Sequence, residues 1–222
     1  MCYSFEASVN AGVCLAVVGA ATVHKAWRRD RRMIGFAVFP LVFSLHQFTE
    51  AVVWWSVRHP FDNAEAFRYA YTAIAFLVWP VLTPFAATLA ETDPAKRRVW
   101  THLLHLGVAL AAYLSIELAF ADGIALTVYK HSLAYDPGFD RPYWIVDLIY
   151  LACATFPLIA FDNRALRAFG AAVLVSFVWA LVHNRPAWYS VWCLSAAFFS
   201  LIISFAIRED ARSSLDEASA SG

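Results

Sequence analysis

Seven apolar segments, each near the roughly 20 residues that a helix needs to cross a bilayer, constrain this chain more than any other feature. They run over 5–27, 33–57, 67–91, 98–121, 142–162, 165–183 and 187–207. In hydrocarbon every backbone N–H and C=O must be bonded within the protein, which a helix achieves within itself. The expected fold is therefore all-α: a polytopic membrane bundle of seven transmembrane helices, one domain over 1–207. Only 15% of the 222 residues are charged and 61% are hydrophobic, whereas a soluble domain carries about 25% charged residues. Mean hydropathy is +0.56. A formal net charge of zero is not the basic footprint of a nucleic-acid binder. The expected partner is the lipid bilayer, with no nucleic acid.

The connections fix an expected orientation. One set, HKAWRRDRR, TDPAKRR and DNRALR, together with the tail after 207, holds twelve of the 17 Lys and Arg residues. The other set, RHPFDNAEAF with the adjoining Arg68, the long GIALTVYKHSLAYDPGFDRP and HNRPAW, holds the remaining five. Excess Lys and Arg mark the cytoplasmic side, so the N-terminus is expected outside and the C-terminus inside. Trp55, Trp144 and Trp188 then fall at outer interfaces and Trp27 and Trp100 at inner ones, as aromatic belts do. The first apolar run has no basic residues before it, unlike a cleavable signal. Residues 208–222, small and polar, read as a disordered cytoplasmic tail.

Within the second segment, FSLHQFTEAVVW places a carboxylate among apolar residues. Phe43, His46, Gln47, Glu50 and Trp54 share one helical stripe. Counted at about 1.5 Å per residue, Glu50 sits roughly 10–12 Å below the outer surface and His46 near the midplane. A charge at the centre of a bilayer costs about 2.5–3.5 kcal/mol on insertion scales, so such a residue faces inward and has a task. Other polar residues lean to the same half: Glu6 and Asn10 at the start of the first helix, Asp147 with Tyr150 in the fifth, Glu117 in the fourth, His183 ending the sixth, and Trp192 and Cys193 opening the seventh. The expected ligand-binding set is Glu50, His46, Gln47, Glu6, Asp147, His183, Trp54 and Cys193, gathered in one cavity open to the outside.

Several features have a simpler reading. Glu6 suits a helix N-terminus, with Ser4 as its cap. The His102 and His105 pair lies at the cytoplasmic mouth and lacks an acidic or Cys partner for a metal. Cys2 and Cys193 both fall toward the outer side, where a disulfide is chemically permitted. Pro80 and Pro84 interrupt the third helix, either as a fixed bend that aids packing or as a source of free carbonyls beside a cavity. Gly107 and Ala111 form a small-xxx-small pair for close helix contact.

The opening MCYSFEASVNAG resembles that of an uncharacterised bacterial family of small multi-helix membrane proteins beginning MCFSATASF or close to it, a family of unknown function. PLVFSLHQFTEAVVW is similar to its PLLFGxQQxxEGxVW pattern, with His46 in place of the usual Gln and Ala51 in place of Gly. FLVWPVLTPFA and SVWCLSAAFFSL resemble further segments. The resemblance implies a helical fold in the bacterial inner membrane and brings no activity with it.

Other seven-helix chemistries fail on residues. The last segment has no lysine for a retinal Schiff base and no His-xxx-His pair for a zinc-dependent membrane hydrolase. His46 has no intramembrane histidine partner for haem. Two function classes remain, with the cofactor, if any, unknown. One is a transporter-like or sensory protein whose Glu50 binds or passes a cation, proton or polar or lipid ligand. The alternative is an intramembrane enzyme acting on a lipid or polyprenyl substrate, metal-dependent or not. It would use Glu50 as base, His46 or His183 in support, and Cys2 or Cys193 as an activated nucleophile.

Overall fold

The computed structural model describes residues 4–139 and 144–207, so Cys2 and the tail 208–222 lie outside the described residues. Helix α1 (Phe5–Arg29) starts where Ser4 Oγ accepts from the Ala7 amide at 3.3 Å. It stops at extended Asp30, whose carboxylate caps the next turn through the Arg32 amide, 3.0 Å. The short α2 (Ile34–Ala37) leads into α3 (Phe39–Arg58). Next come α4 (Ala64–Ala73), a widened π turn over Ile74–Val78 and α5 (Trp79–Ala90). Helix α6 (Pro94–Ala119) is capped by Asp93, whose Oδ1 accepts from Ala95 N at 2.7 Å. After a β-hairpin come α7 (Trp144–Ala160), α8 (Arg164–His183, capped by Asn163) and α9 (Trp188–Phe199).

Helices occupy all seven expected segments. Six stretches are long and apolar enough to cross a membrane: Phe5–Arg29, Arg31–Arg58, Ala64–Ala90, Pro94–Ala119, Arg164–His183 and Arg185–Ile207. The remaining one, α7, is apolar but has 17 residues.

The surroundings of Pro80 fit the packing reading, with the nearby carbonyl occupied rather than left free for a cavity. Pro80 has no N–H, so in the wide turn the carbonyl five residues earlier, Ala75, lacks a helical partner. Tyr150 Oη of α7 donates to it at 2.6 Å. On the other side the Pro80 carbonyl rests against Gly107 of α6, where an added Cβ would lie 1.9 Å from that oxygen. The freed carbonyl and the bend together lock α5 between α6 and α7.

The departure from an all-α bundle is the segment expected to be a long loop. Strands β1 (Ala125–Tyr129) and β2 (Ser132–Asp136) pair antiparallel, Ala125 opposite Asp136 and Tyr129 opposite Ser132. Lys130, in the two-residue connection, takes φ +54°. Leu126, Val128 and Tyr135 fit a pleated surface, but Lys130-His131 is not an Asn-Gly type turn, so the sequence did not advertise the hairpin. Leu133, Ala134 and Tyr135 of β2 are buried. The hairpin closes one end of the bundle, tied by Tyr69 Oη to Ala121 O at 3.0 Å and Arg68 Nη1 to Ile124 O at 3.3 Å. Below this end the core is aromatic: Phe43 stacks on Trp79 at 4.0 Å, and Phe39 meets Trp79 and Phe169 edge-on.

Candidate functional site

Residue spacing puts His46, Gln47 and Glu50 on the buried face of α3, and the fold closes that face with α4, α9 and the hairpin. Glu50 is 3% exposed, and His46 and Gln47 are fully buried. Glu50 Oε1 accepts from Ser190 Oγ of α9 at 2.7 Å, and Oε2 accepts from Gln47 Nε2 at 3.2 Å. His46 Nε2 lies 3.2 Å from the Tyr71 carbonyl. A carbonyl only accepts, so Nε2 carries the hydrogen and Nδ1 the lone pair.

Tyrosines make the remainder of the wall. The His46 ring stacks on Tyr71 of α4, centroids 4.1 Å apart, and Tyr71 stacks on Tyr135 of β2 at 4.3 Å and 9°. Tyr189 of α9 stands 6.0 Å from Tyr135. The Tyr71 hydroxyl lies beside Ser190, and Tyr71, Tyr135 and Cys193 all lie in the electrostatic reach of Glu50. Burial holds the Tyr135 phenol well above its ordinary pKa, and the Glu50 carboxylate adds to this, so the phenol stays neutral and can donate.

The cluster contains more polar atoms than internal bonds. His46 Nδ1, Gln47 Oε1 and the hydroxyls of Tyr71, Tyr135 and Tyr189 are buried with no hydrogen-bond partner, as is the Trp54 indole N–H. Each buried unsatisfied group costs about 1–3 kcal/mol. Such groups are rare in native proteins and call for an explanation. Of these, Gln47 bonds Glu50, and Tyr71 and Tyr135 lie within its electrostatic reach.

The expected residues divide into three groups. Glu50, Gln47, His46 and Cys193 come together, with Trp54 packed against the Tyr71, Tyr135 and Tyr189 cluster. Asp147 is half-buried in an adjoining cavity of about 620 Å³, whose wall shares Tyr135 and Tyr189 with the Glu50 cluster. Glu6 and His183 do not join. Glu6 is exposed on α1, because the first turn of that helix turns its buried face, Ser8 and Ala11, toward α3 instead. His183 is exposed and bonds its own helix, Nδ1 to Trp179 O at 3.1 Å, with its ring stacked on Trp179. Asn10, His102 and His105 are likewise exposed. Among the described residues no three His, Cys, Asp or Glu side chains gather as a metal-ligating group.

Sequence reasoning missed Ser190 and the three tyrosines. Ser190 had a signal: it opens the SVWCLSAAFFSL segment and lies one turn before Cys193. Tyr71 and Tyr189 also lie on helices but alternate with apolar residues that give no polar stripe. Tyr135 was unreadable without the hairpin that delivers it.

Comparison with known proteins adds one match. The model of a family of unknown function, DUF6629, covers residues 1–218. No curated protein and no solved structure matches the chain.

Proposed function

The chain belongs to the family of unknown function DUF6629, and we propose that it is a multi-pass protein of the bacterial inner membrane whose buried site at Glu50 binds or passes a cation, proton or polar headgroup. The observation that carries this reading is the surplus of buried polar atoms around Glu50. A carboxylate that only held helices together would be expected to have its neighbours satisfied. Here His46 Nδ1, Gln47 Oε1 and three phenol hydroxyls have no internal partner, and they offer both acceptors and donors to a polar ligand. The charge asymmetry of the connections supports an external N-terminus, an external hairpin end and a cytoplasmic tail over 208–222. Residues 1–207 then form one membrane domain of seven helices, with α7 meeting its crossing length through thinning or tilt of its neighbours.

The enzymatic alternative draws on one contact, Ser190 Oγ against Glu50 Oε1 at 2.7 Å, which has the reach of a nucleophile and its base. His46, the expected helper, bonds a carbonyl instead, and His183 lies on the surface. Binding therefore accounts for more of the cluster than catalysis does.

The test is an inventory of what co-purifies. Wild type and Glu50→Gln, purified in mild detergent, are compared by inductively coupled plasma and native mass spectrometry. A stoichiometric ion or lipid present in wild type and lost in Glu50→Gln is the expected result. If the variant retains the same bound species, the Glu50 reading is wrong. Hydrolysis of an added lipid or polyprenyl phosphate, abolished by Ser190→Ala, would favour the enzyme.

A further inference from the structure

The cavity of about 620 Å³ beside the tyrosines falls in the range typical of small-molecule sites, roughly 300–1,000 Å³. It opens under the hairpin between α6, α7, α8 and α9, and its wall is mainly apolar, with Phe76, Phe177 and Trp188 among the rings. Asp136 and Asp147 enter it, with Arg185 as its basic residue. A second cavity of about 540 Å³ adjoins it through Asp136 and Phe139 and adds Glu65, Glu117 and Asp122, with no basic residue among the described residues of its wall. Among the described residues the two walls together set five carboxylates, Asp136, Asp147, Glu65, Glu117 and Asp122, against Arg185.

Two residues of the wall also belong to the cluster around Glu50. Tyr135 and Tyr189, 3% and 6% exposed, form part of the cavity wall, and both hydroxyls are buried without a partner. The same two residues separate the cavity from Glu50: Tyr135 stacks on Tyr71, which lies beside Ser190 and Glu50. An apolar, ring-lined chamber whose described wall sets Asp136 and Asp147 against Arg185, with a further carboxylate behind its aromatic side, favours one ligand chemistry. Carboxylates attract positive charge, aromatic faces bind it within about 6 Å of a centroid, and the apolar wall rewards a hydrophobic body.

We propose that this cavity is the entry chamber for a lipophilic organic cation, held by Asp136, Asp147 and the faces of Tyr135, Tyr189 and Trp188, with Tyr135 and Tyr189 as the partition between it and Glu50. The chamber stands on its own geometry; only the final transfer to Glu50 rests on the reading of Glu50 given above.

The probe is tetraphenylphosphonium, bound at equilibrium to the full-length chain in lipid nanodiscs, with tetraphenylborate as the anion of matched shape. Saturable binding of the cation near one per chain, and none of the anion, is expected. Asp147→Asn should weaken it about tenfold. Leu181→Trp, which fills the chamber wall without changing charge, should weaken it at least as much, and a thermal melt of each variant establishes that it is folded. Equal binding of cation and anion, or binding untouched in a folded Leu181→Trp, overturns the proposal, as does no saturable binding at all. Glu50→Gln separates the two readings. If it leaves tetraphenylphosphonium affinity intact while Asp147→Asn weakens it about tenfold, the chamber stands and transfer to Glu50 falls. If the chamber fails while a Glu50-dependent ligand still co-purifies, only the chamber is lost.

Discussion

At the end of the bundle opposite the hairpin, buried and half-buried polar groups bond mainly backbone. Asn163, 4% exposed, accepts from the Leu166 amide at 3.0 Å and donates to Ala206 O at 3.1 Å, capping α8 and tying it to the last helix in one residue. Lys25 Nζ reaches Ser204 O at 2.5 Å, and Glu91 accepts from the Trp100 indole at 3.2 Å and from two amides of its own turn at 3.0 Å. At the hairpin end, Glu50 is held by two side chains, Ser190 and Gln47, amid hydroxyls that bond nothing. Backbone positions are fixed by the fold, so a polar group bonded to them serves architecture. Side chains can rotate to a new partner, so a polar group bonded to them among unsatisfied neighbours can exchange that partner for a ligand. The contrast separates two uses of buried polarity in one small bundle.

Substitutions at Asn163, at Ser190 and at the pair Tyr150 and Tyr135 probe that contrast, from the largest effect down. Asn163→Ala removes a helix cap and strands a buried amide and a buried carbonyl, so stability in detergent should fall by roughly 2–4 kcal/mol. Its apparent melting temperature should drop furthest of the series, with the Glu50-dependent ligand still bound by the folded fraction. A change under about 0.5 kcal/mol would remove the architectural side of the comparison. Ser190→Ala leaves one oxygen of Glu50 unbonded and should cost about 1–2 kcal/mol. Its distinguishing feature is coupling: combined with Glu50→Gln, the two effects should fail to add, as groups in contact do. Strict additivity would mean that the 2.7 Å contact carries no energy.

How much of this the sequence foretold depends on whether a feature was periodic or topological. Helix positions followed from unbroken apolar length, and the inward face of α3 followed from the spacing of His46, Gln47 and Glu50, since both are local properties of one segment. Gly107 and Pro80 were each visible, but their contact was not, because it joins α5 to α6. Glu6 and His183 shared a depth with Glu50 and were expected beside it. Depth fixes one coordinate only, and the rotation of α1 and α8 turned both residues outward. Tyr135 sits in what read as a loop, and the hairpin that carries it inward is a long-range consequence of packing under α9.

The smallest effect is the most diagnostic, because one substitution can be made in both kinds of site. Tyr150 and Tyr135 are buried phenols of equal size. Tyr150 Oη donates to the Ala75 carbonyl at 2.6 Å, at the joint opened by Pro80, whereas Tyr135 Oη bonds nothing within the protein. Removing a made hydrogen bond costs about 1 kcal/mol or more when it strands a buried carbonyl, whereas removing an unsatisfied hydroxyl relieves a desolvation penalty. Tyr150→Phe should therefore lower the apparent melting temperature, while Tyr135→Phe should leave it unchanged or raise it. The order should reverse in binding of the Glu50-dependent ligand, which Tyr135→Phe weakens more than a folded Tyr150→Phe does. Should Tyr135→Phe instead destabilise as much as Tyr150→Phe and bind unchanged, its hydroxyl would be part of the architecture. The distinction between the two ends of the bundle would then rest on Glu50 alone.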